Sequence, residues 1–277
     1  MKLLPRILIT IVVTLAVIFV LVNWVAPVGL SFYAAKKTPA VARVVPTELK
    51  DHSVADVPGS RLAYVGYEFE VPWNDLDDAQ TKFYPKNAAE KNRVDLHFRS
   101  GLRLIVTAIP PHEWSHNLAA ESKVSSEDIE AEYGAEAMKS DYSFVKTLYE
   151  FTPGKMNHWQ VFRGTHARDQ LLLILKSLMP LKAAESGIFN IQNQDYKGFQ
   201  QGAPQMHPDG VAINLYRDDG SIEMLFQTKD YRIASGLTQA ELNRMIGSVR
   251  RVPQNIPAAA RAEASVGKTQ AALPPKN

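Results

Sequence analysis

The stretch at residues 211–226, VAINLYRDDGSIEMLF, decides the fold of this chain. On each side of the Asp-Asp-Gly sequence at 218–220, a large apolar residue occupies every second position. Side chains two positions apart on an extended chain face the same side of a sheet, and Asp-Gly is a preferred hairpin turn. The stretch therefore predicts an antiparallel hairpin with one buried face, formed by Val211, Ile213, Leu215, Ile222, Met224 and Phe226.

Further strands are predicted upstream of this hairpin. Apolar residues alternate with charged residues at 94–99, and Ser100-Gly101 separates them from the run LRLIVTAI, which predicts a second hairpin. Residues 67–71 alternate in the same way. The segments GIFNIQNQ and YKGFQQG, at 187–194 and 196–202, indicate two more strands.

Helices are predicted at residues 125–151, 166–179 and 237–252. The last of these is the best defined, because Thr238 stands three residues ahead of Glu241, which is the spacing of a capping box. Its apolar face is formed by Leu242, Ile246 and Val249, and its last turn by Arg250 and Arg251.

Strands joined by tight turns, with helices between and after them, predict an α+β domain over residues 61–252. We expect a mainly antiparallel sheet covered by helices. The alternation of the strands and the spacing of the last helix place ten side chains in one core: Phe69, Leu96, Phe98, Leu104, Ile213, Leu215, Met224, Phe226, Leu242 and Ile246.

The segments that flank this domain differ from it in composition. After a short basic tail at residues 1–6, the apolar run at 7–28 is long enough to predict a transmembrane helix that binds the lipid bilayer. A cleaved secretory signal is the alternative, although the run exceeds the usual length of a signal core. Residues 29–60 are predicted to be a stalk, and the Ala- and Pro-rich residues 253–277 a disordered tail.

The charges beside the apolar run almost balance, with Lys2 and Arg6 before it and Lys36, Lys37 and Arg43 after it. A very short N-terminal tail usually stays in the cytoplasm, so we expect a single-pass protein of a membrane, the bacterial inner membrane, with an extracytoplasmic C-terminal domain. The chain contains no cysteine, which excludes a lipoprotein anchor and a disulfide framework.

The overall charge argues against a nucleic-acid partner. Lys and Arg number 31 against 29 Asp and Glu, which gives a formal net charge of +2. Nucleic-acid binders usually carry a basic stripe, and the sequence has none.

The segment GYEFEVPW, the two hairpins and the closing LTQAELNRMIGSVR resemble the PsbP type of α/β/α sandwich in their order. GYEFEVPW, YKGFQ and LTQAELNRMIGS are also similar to segments of a family of bacterial single-pass membrane proteins, a resemblance that implies no activity. The PsbP resemblance implies a sandwich fold and a non-enzymatic accessory or scaffold role.

Residues 112–116, HEWSH, form the only catalytic motif in the sequence, because His112, Glu113 and His116 satisfy the zinc-hydrolase pattern H-E-x-x-H. In that pattern two histidines one helical turn apart bind zinc, and the glutamate activates water. Pro110 and Pro111 stand directly before the motif, so a helix there would begin too late to hold the first ligand well. Candidates for the required third ligand are Glu130, Glu132 and Glu136, although an acidic, solvated helix face explains these residues equally well.

A second candidate metal site is the acidic group formed by Asn74, Asp75, Asp77 and Asp78. It lacks the glycine and the distal glutamate of an EF-hand loop. We interpret it as the start of a short helix, where acidic residues are favourable.

The sequence thus predicts a membrane-anchored, extracytoplasmic and non-catalytic domain that binds an unknown protein or small molecule. We assign it no cofactor, catalytic residue or metal ligand. The alternative is an anchored zinc metallopeptidase in which Glu113 is catalytic and His112 and His116 bind the metal.

Overall fold

The computed structural model describes residues 14–15, 17–21, 25–37, 40–57, 59–84, 92–114, 127, 130, 134–156, 173, 176, 187–204, 210–228 and 237–252. The chain divides into two compact units. The larger consists of Pro46–Val145 and Lys182–Asn277, and the smaller of Met1–Val45 and Lys146–Leu181.

The larger unit contains a mixed, mostly antiparallel sheet of eight strands in the order β1-β7-β8-β9-β10-β6-β5-β4. The pair β1–β7 is parallel, and the remaining neighbours are antiparallel. The strands of this sheet are β1 (Pro46–Glu48), β4 (Lys82–Tyr84), β5 (Arg93–His97), β6 (Leu102–Ile109), β7 (Ile188–Gln192), β8 (Lys197–Gln201), β9 (Ala212–Arg217) and β10 (Gly220–Thr228).

A smaller antiparallel sheet has the order β11-β3-β2. Its strands are β2 (Ser60–Tyr64), β3 (Tyr67–Val71) and β11 (Arg250–Arg251). The helices are α1 (Ala26–Lys37), α2 (Ala135–Met138), α3 (Asp141–Glu150) and α4 (Gln239–Ser248), with 3₁₀ turns at Ala40–Arg43 and Pro153–Lys155.

One apolar core joins the two sheets and α4. All ten side chains that the sequence predicts for this core belong to it, so that prediction is confirmed. Phe69 and Leu242 are completely buried, and they come from the small sheet and from α4. The inner face of the large sheet is therefore covered by a second sheet and one helix, which corrects the expected cover of helices alone.

Both predicted hairpins are present. In the first, β9 pairs with β10, and the paired residues run from Arg217 opposite Gly220 beside the turn to Ala212 opposite Leu225. In the second, β5 pairs with β6, and residues 98–101 connect the two strands. Gly101 has φ 89°, a left-handed conformation that glycine adopts without strain. The strands predicted at 67–71, 187–194 and 196–202 correspond to β3, β7 and β8.

The closing helix begins as predicted and ends earlier than predicted. Thr238 accepts from the backbone N–H of Glu241, and the Glu241 carboxylate accepts from the backbone N–H of Thr238, so both bonds of the capping box exist. At Val249 the chain becomes extended, with ψ 124°. Arg250 and Arg251 pair with β3 as β11 instead of forming a last helical turn.

A third hairpin, β2–β3, was not predicted. It closes through Val65 and Gly66, with φ values of 48° and 82°. Positive φ at both central residues is the geometry of a type I′ turn, in which asparagine usually takes the position that Val65 has here.

The helical prediction at 125–151 is met by α2 and α3 within the described residues. Most of residues 125–133 lie outside the described residues, as does most of the segment 166–179. Leu173 and Lys176 of that segment are helical.

The N-terminal prediction requires a correction. None of the helices in the described part of the chain combines the length and the apolar character that a membrane crossing needs, so the transmembrane helix predicted at residues 7–28 is not supported. Helix α1 spans Ala26–Lys37 and has 12 residues.

The segment predicted as a stalk, residues 29–60, contains most of α1, the turn Ala40–Arg43 and strand β1. Strand β1 pairs with β7, because Pro46 lies beside Ile188 and Glu48 beside Asn190. Residues 1–6 and 253–277, predicted as a basic tail and a disordered tail, lie outside the described residues.

The smaller unit contains a fully buried lysine. The Nζ atom of Lys176 donates to the carbonyl oxygens of Tyr149 and Phe151, at 2.6 and 2.7 Å. These carbonyls belong to the C-terminal end of α3, where cations are favourable. Burial lowers the pKa of Lys176 to about 8.

A candidate ligand-binding groove

The outer face of the large sheet carries an aromatic cluster beside the start of α3. The ring of Tyr142 stacks on that of Phe199 with centroids 5.4 Å apart and an interplanar angle of 13°. Tyr216 meets Phe199 edge-on, at 6.3 Å, and lies 6.1 Å from Tyr142. Such offset and edge contacts are the preferred arrangements of aromatic rings, and they fix the position of Tyr142.

Tyr142 and Tyr216 line an open groove of about 550 Å³, which we call the Tyr142 groove, and Phe199 lies buried beneath them. Pockets that bind small ligands typically have volumes of about 300–1,000 Å³. The groove is lined by Glu136, Lys139, Ser140, Tyr142, Ser143, Asp195, Lys197, Tyr216, Arg217 and Asp218.

Local sequence explains how α3 reaches this groove. Ser140 precedes the helix, and its Oγ accepts from the backbone N–H of Ser143 at 3.2 Å. This is the bond that an N-terminal cap makes. Because the helix begins there, Tyr142 lies in its first turn and stacks on the sheet.

The rim of the groove carries charges of both signs. Lys139, Lys197 and Arg217 oppose Glu136, Asp195 and Asp218. Lys139 lies 3.6 Å from Glu136, whereas the exposed Lys197 has no ion-pair partner among the described residues. The hydroxyl of Tyr142 likewise makes no hydrogen bond to any described residue. These two groups are available to a ligand.

Arg217 is held in place on one side of the groove. Its guanidinium donates to both carboxylate oxygens of Asp219, and its centre lies 5.3 Å from the centroid of the Tyr196 ring. Hydrogen bonding from Arg217 outweighs burial and lowers the pKa of Asp219 to about 2. Arg251 also contacts Asp219, at 2.7 Å. The charge of Arg217 is therefore positioned before any ligand arrives.

The turn between β7 and β8 forms another wall. The Oδ1 atom of Asn193 accepts from the backbone N–H groups of Asp195 and Tyr196, at 2.9 and 2.8 Å. Its Nδ2 atom donates to the carbonyl oxygens of Ile246 and Val249 at the end of α4. One side chain thus shapes the turn and fastens it to the helix, which gives Asp195 a rigid support.

This arrangement suits binding better than bond-breaking chemistry. A flat apolar floor, hydroxyl groups and a polar rim can hold a ligand by stacking, hydrogen bonds and ion pairs. The three carboxylates of the rim, at Glu136, Asp195 and Asp218, are all exposed. General acids and bases are usually found in enclosed sites that shift their pKa values.

The first residue of the HEWSH motif, His112, does not have a helical backbone conformation. His112 has φ +63°, in the left-handed region, and the helical residues that follow are Glu113 and Trp114. A zinc site of this kind needs both imidazoles on one helix face, which His112 cannot provide in this conformation. His116 and Glu132 lie outside the described residues. Glu136 lines the Tyr142 groove, and Glu130 is exposed.

The acidic group at residues 74–78 makes hydrogen bonds within the protein. Asp75 accepts from the backbone N–H of Ser100 at 2.6 Å, and Asp77 accepts from that of Ala79 at 3.1 Å. Residues 78–80 form a turn, so the interpretation as a short helix is wrong. In the described part of the chain, no three His, Asp or Glu side chains are grouped closely enough to hold a metal ion.

Sequence reasoning missed the Tyr142 groove. Its strands and helix were predicted, but the contact between Tyr142 and Phe199 joins positions 57 apart in the sequence. One feature of the sequence pointed to it: Phe199 and Tyr216 are aromatic residues on the outer face of β8 and β9. In a strand with only one buried face, these positions would be polar. That signal shows that the outer face is covered, and it does not show by what.

Comparisons with known protein families, with curated proteins and with solved structures find no match to this chain.

Proposed function

We propose that this protein is a non-catalytic binding domain and that the Tyr142 groove is its ligand site. The observation that carries the proposal is the aromatic floor, fixed by stacking on Phe199, beneath a rim that offers Lys197 and the Tyr142 hydroxyl to a partner. Tyrosine and arginine are the residues that most often dominate binding surfaces, because they combine apolar area with polar groups.

The chemistry of the rim supports a ligand that is polar and carries charge. Lys197 would pair with an anionic group, and Asp218 with a cationic group. Tyr142 would stack on a flat or apolar part of the ligand. The equal numbers of cationic and anionic side chains do not favour nucleic acid, for which binding requires an excess of positive charge.

The test is a fragment screen by NMR on the full-length, ¹⁵N-labelled chain. The library should contain aromatic acids, zwitterions and neutral sugars. We expect the largest shift changes at residues 139–143, 195–197 and 216–218, and we expect zwitterionic aromatic fragments to give the strongest of them. Hits that perturb a different surface, or no hits at all, would contradict the proposal.

A further inference from the structure

A second groove adjoins the first on the other side of the β7–β8 turn. It has a volume of about 280 Å³, and we call it the Arg61 groove. Arg61, Glu68, Glu70, Asp195, Ser248 and Arg250 contribute to its lining. Asp195 lines both grooves, so only the turn at residues 193–196 lies between them.

The Arg61 groove presents its guanidinium groups outward. Arg61 lies 3.2 Å from Glu68 and 3.2 Å from Glu70, and Arg250 lies 2.6 Å from Glu68. The side chains of Arg61 and Arg250 are 58% and 54% exposed, whereas those of Glu68 and Glu70 are 17% and 16% exposed. A ligand therefore meets the arginines first and the carboxylates behind them.

The pairing also keeps Glu70 ionised. Burial raises the pKa of Glu70, but hydrogen bonds from Arg244 and Arg61 outweigh it, and the pKa lies below its usual value. Arg61 and Arg250 are more than half exposed, and a guanidinium has five N–H donors. Each arginine can therefore keep its carboxylate on this chain and still donate to a carboxylate on a partner.

We infer that the ligand is an extended polypeptide segment with charges of both signs, which crosses the β7–β8 turn and occupies both grooves. The inference rests on the proposed function of the Tyr142 groove. A polypeptide can supply one group for each position: an aromatic or apolar side chain over Tyr142, an acidic group for Lys197, a basic group for Asp218 and a second acidic group for Arg250. A neutral sugar lacks these charges, and a ligand confined to one groove would leave the other empty.

The rigidity of the turn supports a binding surface that exists before the partner arrives. Asn193 makes four hydrogen bonds that join this turn to its own backbone and to the end of α4. A preorganised surface loses less conformational entropy on binding than a mobile one. The ridge between the grooves would thus set the path of the segment.

The experiment selects binders to the full-length chain from a library of random peptides of about twelve residues, roughly 40 Å long when extended. Dissociation constants are then measured for the chain and for the variants Lys197→Glu and Arg250→Gln, one in each groove. The matched controls are Lys82→Glu, an exposed lysine that also begins a strand, and Arg99→Gln, an exposed arginine next to a hairpin turn. Thermal unfolding checks that each variant is folded.

We expect each groove variant to weaken binding at least tenfold, about 1.4 kcal/mol, and each control to change it less than twofold. A peptide in which the acidic residue facing position 197 is replaced by lysine should regain affinity for the Lys197→Glu variant, which a merely structural effect would not produce. If only Lys197→Glu weakens binding, the second groove is overturned and the Tyr142 groove stands. If neither variant changes the affinity of the selected peptides, both grooves are overturned as parts of the binding site. If fragments or sugars bind and no peptide does, the inference that the ligand is a polypeptide is overturned.

Discussion

Two buried tyrosines show how much a single hydroxyl group depends on its surroundings. Tyr67 donates to the carbonyl oxygen of Ser221 at 3.2 Å, whereas the hydroxyl of Tyr196 is buried and has no hydrogen-bond partner among the residues that the structure describes. Their rings lie 6.4 Å apart in the same core. Burial raises the pKa of Tyr67 to about 12 and raises that of Tyr196, so both are neutral at physiological pH. Sequence reasoning gives the burial of such residues and not their partners.

We predict opposite effects when each hydroxyl is removed. Tyr196→Phe should raise the free energy of unfolding by about 1 kcal/mol, because a buried polar group without a partner is lost. Tyr67→Phe should lower it by about 1 kcal/mol, because a buried carbonyl loses its donor. Urea unfolding of the two variants measures the difference, and a destabilised Tyr196→Phe would contradict this account.

A second prediction concerns Asp95, which is 1% exposed and accepts from both Arg93 and Arg103. Burial raises the pKa of Asp95, but the hydrogen bonds from the two arginines outweigh it, and the pKa is below its usual value. A lowered folded-state pKa means that this contribution is complete above the unfolded pKa of about 3.9 and is lost as the pH falls through the folded value.

Asp95→Asn should therefore cost about 2 kcal/mol at pH 7 and clearly less at pH 3. Urea unfolding of the chain and of the variant at both pH values checks this, with the exposed Asp78→Asn as the control. A difference between chain and variant that is the same at pH 3 and pH 7 would refute the assignment.

Regular patterns predicted most elements, and the exceptions have physical causes. Residues 94–109 and 211–226 were predictable because their buried faces alternate with period two and their turns contain Gly. The β2–β3 hairpin was missed because valine, a poor residue at positive φ, begins its turn. The predicted end of α4 was wrong because Arg250 and Arg251 pair with β3. That pairing joins residues that are distant in the sequence, so helical spacing cannot reveal it.

The β2–β3 turn gives a prediction at the scale of the hairpin. Val65→Asn should be more stable to unfolding than Val65→Thr by about 1 kcal/mol. Both replacements remove the apolar contact of the half-buried Val65 with the core, but asparagine tolerates the left-handed conformation that strains a β-branched side chain. At Val54, an exposed valine outside any strand, the same two replacements should differ by less than about 0.5 kcal/mol. Thermal unfolding measures both differences, and a Val65→Asn variant no more stable than Val65→Thr would contradict the strain.

At the scale of the whole molecule, the sequence predicted the α+β character and the composition of the core better than it predicted the site. The core follows from alternation, which each strand carries by itself. The Tyr142 groove depends on where α3 lies across the sheet, and no local pattern specifies that. The resemblance to the PsbP type stays a prediction. The transmembrane helix predicted at residues 7–28 is not supported, because no helix in the described part of the chain is long and apolar enough to cross a membrane.

The central claim is that Tyr142 is the centre of a ligand site, and one affinity comparison tests it most directly. The dissociation constant of the strongest fragment hit should be measured for the full-length chain, for Tyr142→Ala and for Tyr84→Ala. Tyr84 is a matched control, because it is also a half-buried tyrosine, and it lies away from the groove on the edge strand β4, beneath Arg93. We predict a loss of at least tenfold, about 1.4 kcal/mol, for Tyr142→Ala and less than a twofold change for Tyr84→Ala. Equal affinities for both variants would contradict the claim.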